Sequence, residues 1–203
     1  EGYVALQGAA FALRTLRAGF TTVRDLGEHS SAIFALKRAI NEGLIAGPRI
    51  VAAGSTLSPT GGHAQTYGYR EEVNALFAST GTCDGVDACR RAVRTQTARG
   101  ADVIKLVATG GVLSNISAGV DQQFSEEELA AIVKTAHGLG KRVAAHAHGA
   151  GGINAALRAG VDSIEHGSYV DAESISLFRK TGAYMVPTVL AGVTVAEHAK
   201  KSD

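Results

Sequence analysis

Length, composition and charge describe an ordinary folded chain. Its 203 residues are 45% hydrophobic and 19% charged, a balance that is typical of a globular enzyme. The formal net charge of +1 gives no field that would attract nucleic acid, and no apolar stretch is long enough to cross a bilayer. We therefore expect no nucleic-acid partner and no membrane partner.

Amphipathic helices and short apolar strands alternate along the chain. Helices are predicted from apolar residues at helical spacing, and the pair Ser125 and Glu128 has the spacing of a capping box that opens one of them. In chain order the predicted elements are helix 3–18, strand 20–25, helix 31–42, strand 49–53, helix 86–98, strand 102–108, the helix after Ser125, strand 142–147, helix 151–159, strand 162–166, helix 172–180 and strand 184–189.

Glycines mark the ends of the helices that precede five of these strands. They are Gly19, Gly100, Gly140, Gly160 and Gly182. Each suits the left-handed cap of a helix, and an apolar strand follows within a few residues. Helix, glycine cap and strand in regular alternation are typical of a parallel βα architecture.

The six predicted strands are two short of a closed eight-stranded barrel. Such barrels have about 250 residues, whereas this chain has 203 and begins at Glu1 without an initiator methionine. We interpret residues 1–203 as one partial (β/α)8 TIM-type barrel, an α/β fold, covering about strands 2 to 7 and lacking the first and last strands. The chain is then expected to be part of a larger enzyme. A complete six-stranded doubly wound sheet is the alternative.

Ionisable residues fall within or at the ends of three consecutive strands. Lys105 lies in the apolar run 102–108, His146 and His148 end the next strand, and His166 ends the one after. An ammonium group is costly to bury, so Lys105 must lose its charge, find a carboxylate such as Asp25, or be modified. Because the loops at the carboxyl ends of barrel strands converge, we expect one site at the mouth.

A long stretch of low periodicity, about 57–82, is predicted to form a loop at the mouth. It contains His63 directly after Gly61 and Gly62. Connections of this length are usually binding loops or lids. An ordinary surface histidine is the alternative for His63.

The remaining polar candidates receive no catalytic assignment. Arg24, Asp25, Tyr169 and Thr188 lie near predicted strand ends, where a salt bridge or packing role is at least as reasonable. The spacing of Cys83 and Cys89 permits a disulfide without requiring one, and we expect free thiols.

Several short motifs occur in a specific order over essentially the whole chain. They lie at 19–27, 47–50, 61–63, 104–105 with 109–111, 146–149 and 163–167. With these motifs the chain resembles the metal-dependent amidohydrolase superfamily. Within it, the resemblance is to the branch of prolidase-like Xaa-Pro dipeptidases, arginine or lysine carboxypeptidases and ochratoxin-type amidohydrolases.

The resemblance implies a role for each of the five site residues. Lys105 would be a carbamate, formed with carbon dioxide, that bridges two divalent metal ions, for which we expect zinc. His146 and His166 would be metal ligands, while His148 would bind the substrate. His63 would hydrogen-bond the tetrahedral oxyanion or a substrate carboxylate, so Lys105 and His63 are the catalytic candidates.

The implied reaction is hydrolysis of an amide bond by a hydroxide that bridges the two metals. The expected substrate is a small molecule with a carboxylate, either a dipeptide such as Xaa-Pro or an N-acyl amino acid. We also expect a homo-oligomer. The family's His-x-His pair on the first strand and its aspartate on the last strand are absent from this sequence, so the segment alone is expected to be inactive.

Three alternatives stay open at this point. The first is hydrolysis of a cyclic amide, as in imidazolonepropionase-like enzymes. The second is an aldolase in which Lys105 forms a Schiff base with a carbonyl substrate. The third is an inactive barrel fragment that serves as a binding or assembly module.

Overall fold

The computed structural model describes residues 1–27, 31–66, 68–77, 79–112 and 119–200. Within these ranges helices and strands alternate along most of the chain. In order they are α1 Gly2–Arg17, β1 Thr22–Asp25, α2 Ala32–Asn41, β2 Arg49–Ala52, α3 Glu71–Leu76, α4 Val86–Ala98, β3 Val103–Val107, α5 Glu126–Gly138, β4 Arg142–Ala147, α6 Ala150–Ala159, β5 Ser163–His166, α7 Ala172–Thr181, β6 Tyr184–Val186 and α8 Val189–Ala199.

The strands are parallel and neighbour one another in chain order. β1 pairs with β2, and β3, β4, β5 and β6 form a second sheet in that sequence. Backbone hydrogen bonds from Asp102 to Ala52 (2.8 Å) and from Leu57 to Lys105 (2.8 Å) join the two sheets. A doubly wound sheet reverses its strand order, and no reversal occurs among the described strands. The arrangement is that of a (β/α)8 barrel segment, as the sequence predicts.

Two helices were not predicted, and both lie in places where the apolar pattern is misleading. α3 falls inside the predicted mouth loop and has only six residues. α8 begins where the predicted strand 184–189 was expected to continue, because Thr188 adopts a left-handed conformation (φ 45°) and turns the chain. Among the described residues, no helix is both long and apolar enough to cross a membrane.

The two faces of the β3–β5 sheet bury different residues. The outer face packs apolar side chains such as Ile104, Ala147 and Ile164 against the helices in the large core. The inner face carries Val103 and Ala144 in a small apolar cluster. Because side chains two apart in a strand share a face, Lys105 points to the inner side with Val103.

An ion pair crosses the inner side from β1 to β5. The Arg24 guanidinium donates to both Glu165 carboxylate oxygens (2.9 and 3.0 Å) and to Ser163 Oγ (3.0 Å). Ser163 Oγ in turn donates to Glu165 at 2.6 Å. The ordinary salt-bridge role considered for Arg24 is confirmed, and the contact brings strands that are distant in chain order together around one interior.

The two cysteines form a disulfide, so the expectation of free thiols is wrong. Cys83 and Cys89 have Cα atoms 5.0 Å apart, and both are buried. Gly85, with φ +78°, folds the chain back between them, a conformation that suits glycine. The disulfide thereby ties the end of the mouth loop to the first turns of α4.

Candidate metal centre

Three histidines converge at the carboxyl ends of β4 and β5. One ring nitrogen from each of His146, His148 and His166 lies within 4.8 Å of the others. The ring centroids are 4.7 to 5.0 Å apart. His146 and His148 are buried and His166 is partly buried. The structure thus brings together three of the five residues that the sequence singled out, at a spacing that a divalent metal ion could occupy.

His146 and His148 reach the mouth through ordinary strand geometry. They lie two residues apart at the end of β4, so their side chains point the same way. Thr109 fixes the chain at this point, because its Oγ1 accepts a hydrogen bond from the His148 backbone N–H at 2.9 Å. The alternation that places Lys105 on the inner side of β3 therefore places both histidines on the inner side of β4.

His166 reaches the mouth against the alternation of β5. Ala147, which pairs with His166 in the sheet, packs in the outer core, and so does Ile164, two residues before His166. A regular strand would therefore turn the His166 side chain outwards. Instead His166 has φ +76°, and Gly167 follows with φ +62°. The Gly167 N–H donates to the Ala147 carbonyl at 2.9 Å and holds this turn. A left-handed non-glycine residue costs about 1–3 kcal/mol, and such strain is concentrated at functional sites.

A second left-handed residue contacts the first. Thr188 and His166 are the two non-glycine residues with positive φ in the described ranges, and the Thr188 Oγ1 lies 2.7 Å from His166 Nδ1. A β-branched residue in this region is a true conformational outlier. Thr188, which the sequence left without a role, therefore orients the His166 ring.

The environment keeps the histidine cluster neutral. Burial lowers the pKa of His146 to about 2, and the charges of His63 and Lys105 act in the same direction. Burial and the His166 charge lower the pKa of His148 to about 4. Burial also lowers the pKa values of His63 and His166. Neutral imidazole is the form that binds a metal, so the cluster is in its ligating state at neutral pH.

Hydrogen bonds fix which nitrogen His146 can offer. Its Nε2 lies 3.2 Å from the Gly110 carbonyl oxygen, which can only accept. Nε2 therefore carries the proton, and Nδ1 has the free lone pair. His148 Nδ1 lies 2.7 Å from Ser168 Oγ, a hydroxyl that can donate or accept. Such partners of the second ring nitrogen are typical of metal-binding histidines.

Lys105 is buried, and among the described residues no carboxylate pairs with its ammonium group. Burial lowers the pKa of its ammonium to about 8, against the raising effect of Glu165 and with a further lowering by Arg24. Among the described residues its amine makes no hydrogen bond and no ion pair. The Asp25 carboxylate, considered as its partner, accepts from the Gly27 N–H at 3.3 Å. A larger fraction of this amine than of an exposed lysine amine is therefore neutral near physiological pH.

The mouth loop brings His63 onto the cluster. Its ring stacks on His146 with centroids 4.2 Å apart and planes at 28°. Gly111 allows this approach, because a Cβ there would lie only 2.3 Å from His63 Cε1. The Gln123 side chain accepts a hydrogen bond from the His63 backbone N–H at 3.1 Å. His63 is thus a member of the site and not an isolated surface histidine.

A cavity of about 430 Å³ opens between the histidines and the start of α8. Its lining combines the imidazoles, Ser168 and Thr188 with apolar residues that include Pro187 and Val195. Tyr169 is exposed and does not line it; its backbone N–H donates to the His148 carbonyl.

Sequence reasoning missed Ser168 and Glu165 as contributors to the site. Ser168 carries no signal beyond its place two residues after His166. Glu165 does carry one, since a carboxylate in a buried strand is the same anomaly that drew attention to Lys105. The signal was available in the sequence and was not used.

Comparison with known proteins gives one consistent result. The model of the amidohydrolase family matches residues 1–203. Ochratoxinase from Aspergillus niger is 39% identical over 186 residues, covering 85% of this chain and 38% of that protein. The chain is also similar to a solved Xaa-Pro dipeptidase with methionine bound in its active site, with 43% identity, a TM-score of 0.87 and coverage of 97% of this chain and 49% of that one.

A further solved structure is that of a prolidase complexed with N-methylphosphonate-L-proline. It is 39% identical to this chain, with a TM-score of 0.80. The match covers 92% of this chain and 47% of the prolidase chain. The chain therefore spans half or less of the length of these relatives.

Proposed function

Because this chain belongs to the amidohydrolase family, a metal-dependent family with a (β/α)8 barrel, we propose that the protein hydrolyses an amide bond in a small substrate that carries a carboxylate. The substrate class is a dipeptide, such as Xaa-Pro, or an N-acyl amino acid. One observation carries the proposal: three neutral imidazoles converge at the mouth of the barrel, near a buried lysine that has no hydrogen-bond or ion-pair partner among the described residues. The relatives are named as a dipeptidase, a prolidase and ochratoxinase, and these names support amide hydrolysis.

Lys105 is assigned as a carbamate. Its neutral amine forms an N–C bond with carbon dioxide and releases one proton to water, which leaves an anionic carboxylate in place of the ammonium. The lowered pKa of the amine supports this reaction near neutral pH. The change also removes the cost of a buried cation and creates two oxygen ligands.

The Lys105 carbamate, His146 and His166 would hold a centre of two divalent metal ions, with zinc as the expected metal. The donor set fits, since neutral imidazole nitrogen and carboxylate oxygen are zinc ligands. When bound, such ions lower the pKa of water and polarise a carbonyl. Gly110 and Thr188 would keep the His146 and His166 rings in their ligating orientations.

His148 and His63 are assigned to the substrate. If Ser168 Oγ donates to His148 Nδ1, the Nε2–H of His148 is left to donate to a substrate carboxylate. His63, stacked on His146 and carried by the mouth loop, would donate to the oxyanion of the tetrahedral intermediate. The glycine at position 111 would be required for that placement.

The alternatives gain less support from the same residues. A Schiff base on Lys105 would use its lowered pKa but would leave the histidine cluster without a role. An inactive module would have no reason to hold His166 and Thr188 in strained conformations. Hydrolysis of a cyclic amide uses the same centre and differs only in substrate. Homo-oligomerisation stays a prediction.

The test is hydrolysis of a panel of dipeptides, N-acyl amino acids and cyclic amides by the whole protein. We expect activity towards the first two classes, its loss after treatment with a chelator, and its recovery with zinc and bicarbonate. Activity that survives complete metal removal would contradict the proposal. Covalent trapping of a carbonyl substrate on Lys105 by borohydride would favour the aldolase instead.

A further inference from the structure

The cavity beside the histidines has two chemically different sides. The polar side carries His63, His146, His148 and His166, where the scissile amide would be held. The remaining lining includes the apolar residue Pro187 and residues of the first turns of α8. A substrate that is held by the histidines and fills the cavity would therefore also contact α8.

Three residues of α8 face this cavity: Ala191, Gly192 and Val195. Val195 lies four residues after Ala191 and three after Gly192, so it neighbours both of them on the helix surface. Two of them are small, which gives the cavity its width on this side. We call Pro187, Ala191, Gly192 and Val195 the α8 wall.

The position of the α8 wall is tied to the site. Thr188, directly before α8, contacts His166 Nδ1 through its side chain at 2.7 Å and accepts a hydrogen bond from the Ala191 N–H at 3.0 Å through its carbonyl. The wall is therefore held at a defined distance from the histidines by the same residue that orients a proposed ligand.

No aspartate, glutamate, lysine or arginine lines the cavity among the described residues. The α8 wall is apolar but exposed, so a charged group placed against it would give up only part of its hydration and would find no opposite charge among the described lining residues. An apolar group there would instead gain by leaving water, at about 25 cal/mol per Å². The lining thus discriminates against a cationic substrate end and favours an apolar one.

We propose that the α8 wall is the specificity surface for an uncharged, apolar group next to the scissile amide, either an amino-acid side chain or an acyl group. This inference rests on the proposed amide hydrolysis and narrows it. It separates the protein from carboxypeptidases that act on arginine or lysine, one of the branches that the sequence resembles. Gly192 is the central residue of the wall, since its lack of a side chain leaves space for the substrate.

The experiment fills the space at Gly192 with a larger side chain. Gly192 lines the cavity and a Cβ there would meet no neighbouring atom within 4 Å, so Gly192→Leu adds a side chain at the cavity lining without a clash of its Cβ. Two series of N-acyl amino acids are assayed with the whole protein: one varies the acyl group from acetyl to hexanoyl, and the other varies the side chain from glycine to leucine and lysine. We expect Gly192→Leu to reduce the kcat/KM preference for the bulky apolar group at least about tenfold in one series, the scale of a lost methylene-sized space in an apolar pocket.

Gly138→Leu is the matched control. Gly138 ends α5, at the end of a βα unit away from the mouth, and a Cβ there also meets nothing within 4 Å. Its substrate ratios should equal those of the unmodified protein. In Gly192→Glu, the new carboxylate should raise kcat/KM for the lysine substrate relative to the leucine substrate at least tenfold.

The outcomes separate the two proposals. Activity in Gly192→Leu with both preference ratios within twofold of the unmodified protein would overturn the α8 wall and leave amide hydrolysis intact. A preference of the unmodified protein for lysine over leucine would also overturn it. Absence of hydrolysis of every substrate by the metal-loaded, unmodified protein would contradict the proposed function itself.

Discussion

The carboxyl ends of β4 and β5 present histidines to the same mouth by different backbone conformations. His146 and His148 follow the alternation of an extended strand. His166 lies opposite Ala147, which faces the outer core, and turns inwards only because its φ is +76°. The first arrangement follows from strand geometry without strain, whereas the second must be maintained by surrounding contacts. That difference makes His166 the histidine whose position is maintained at a cost in stability.

The contacts that hold β5 are of two kinds. Below His166, Glu165 is buried and bound by Arg24 from β1. Beside it, Thr188 contacts the His166 ring from the segment before α8. If β4 and β5 differ in this way, the position of β5 depends on both contacts. The position of β4 needs neither contact and should not change when one of them is removed.

The largest expected effect concerns the anchor of β5. Arg24→Met leaves the Glu165 carboxylate buried with Ser163 as its remaining partner, and we expect the free energy of unfolding to fall by about 3 kcal/mol. Urea unfolding measures this. The control is Arg90→Met, which removes an exposed pair with Asp87 and should cost less than about 0.5 kcal/mol. Equal effects of the two changes would contradict the anchoring role.

The next effect separates His166 from His148 as a metal ligand. Thr188→Val removes the hydroxyl that orients His166, and we expect zinc affinity to fall about 10- to 100-fold. Ser168→Ala removes the corresponding hydroxyl at His148 and should leave zinc affinity unchanged while raising KM. Competition with a metal indicator and steady-state kinetics measure the two quantities. The reverse pattern would exchange the roles of the two histidines.

The smallest effect tests the strain itself. At His166, the glycine variant should be more stable than the alanine variant by about 1 kcal/mol, because glycine adopts a positive φ without strain. At His146, which is extended, glycine should be less stable than alanine by about 0.5–1 kcal/mol. Thermal and urea unfolding of the four variants give both differences. The same sign at both positions would remove the distinction between β4 and β5.

Much of this fold was predictable because the signals are local. Glycine caps and apolar strands repeat through the chain, and the capping box at Ser125 and Glu128 forms as its spacing indicates. The convergence of Lys105, His146 and His148 follows from alternation along parallel strands. His166 at a strand end and His63 in the mouth loop were candidates from their positions in the sequence, and the family resemblance implied their roles.

The parts that could not be predicted depend on contacts between distant residues or on backbone conformations without a sequence signature. Nothing in the sequence indicates that Thr188 turns left-handed to start α8 and contact His166. The Arg24 and Glu165 pair joins residues 141 positions apart. The disulfide between Cys83 and Cys89 depends on the turn at Gly85, which the spacing alone left undecided.

The central claim is that Lys105, His146 and His166 hold one metal centre. Elemental analysis of the whole protein and of its Lys105→Ala variant tests it most directly, with the exposed Lys134→Ala as control. We predict about two divalent metal ions per chain in the unmodified protein and the control, falling sharply in Lys105→Ala. No bound metal in the unmodified protein, or equal metal content in all three, would contradict the account.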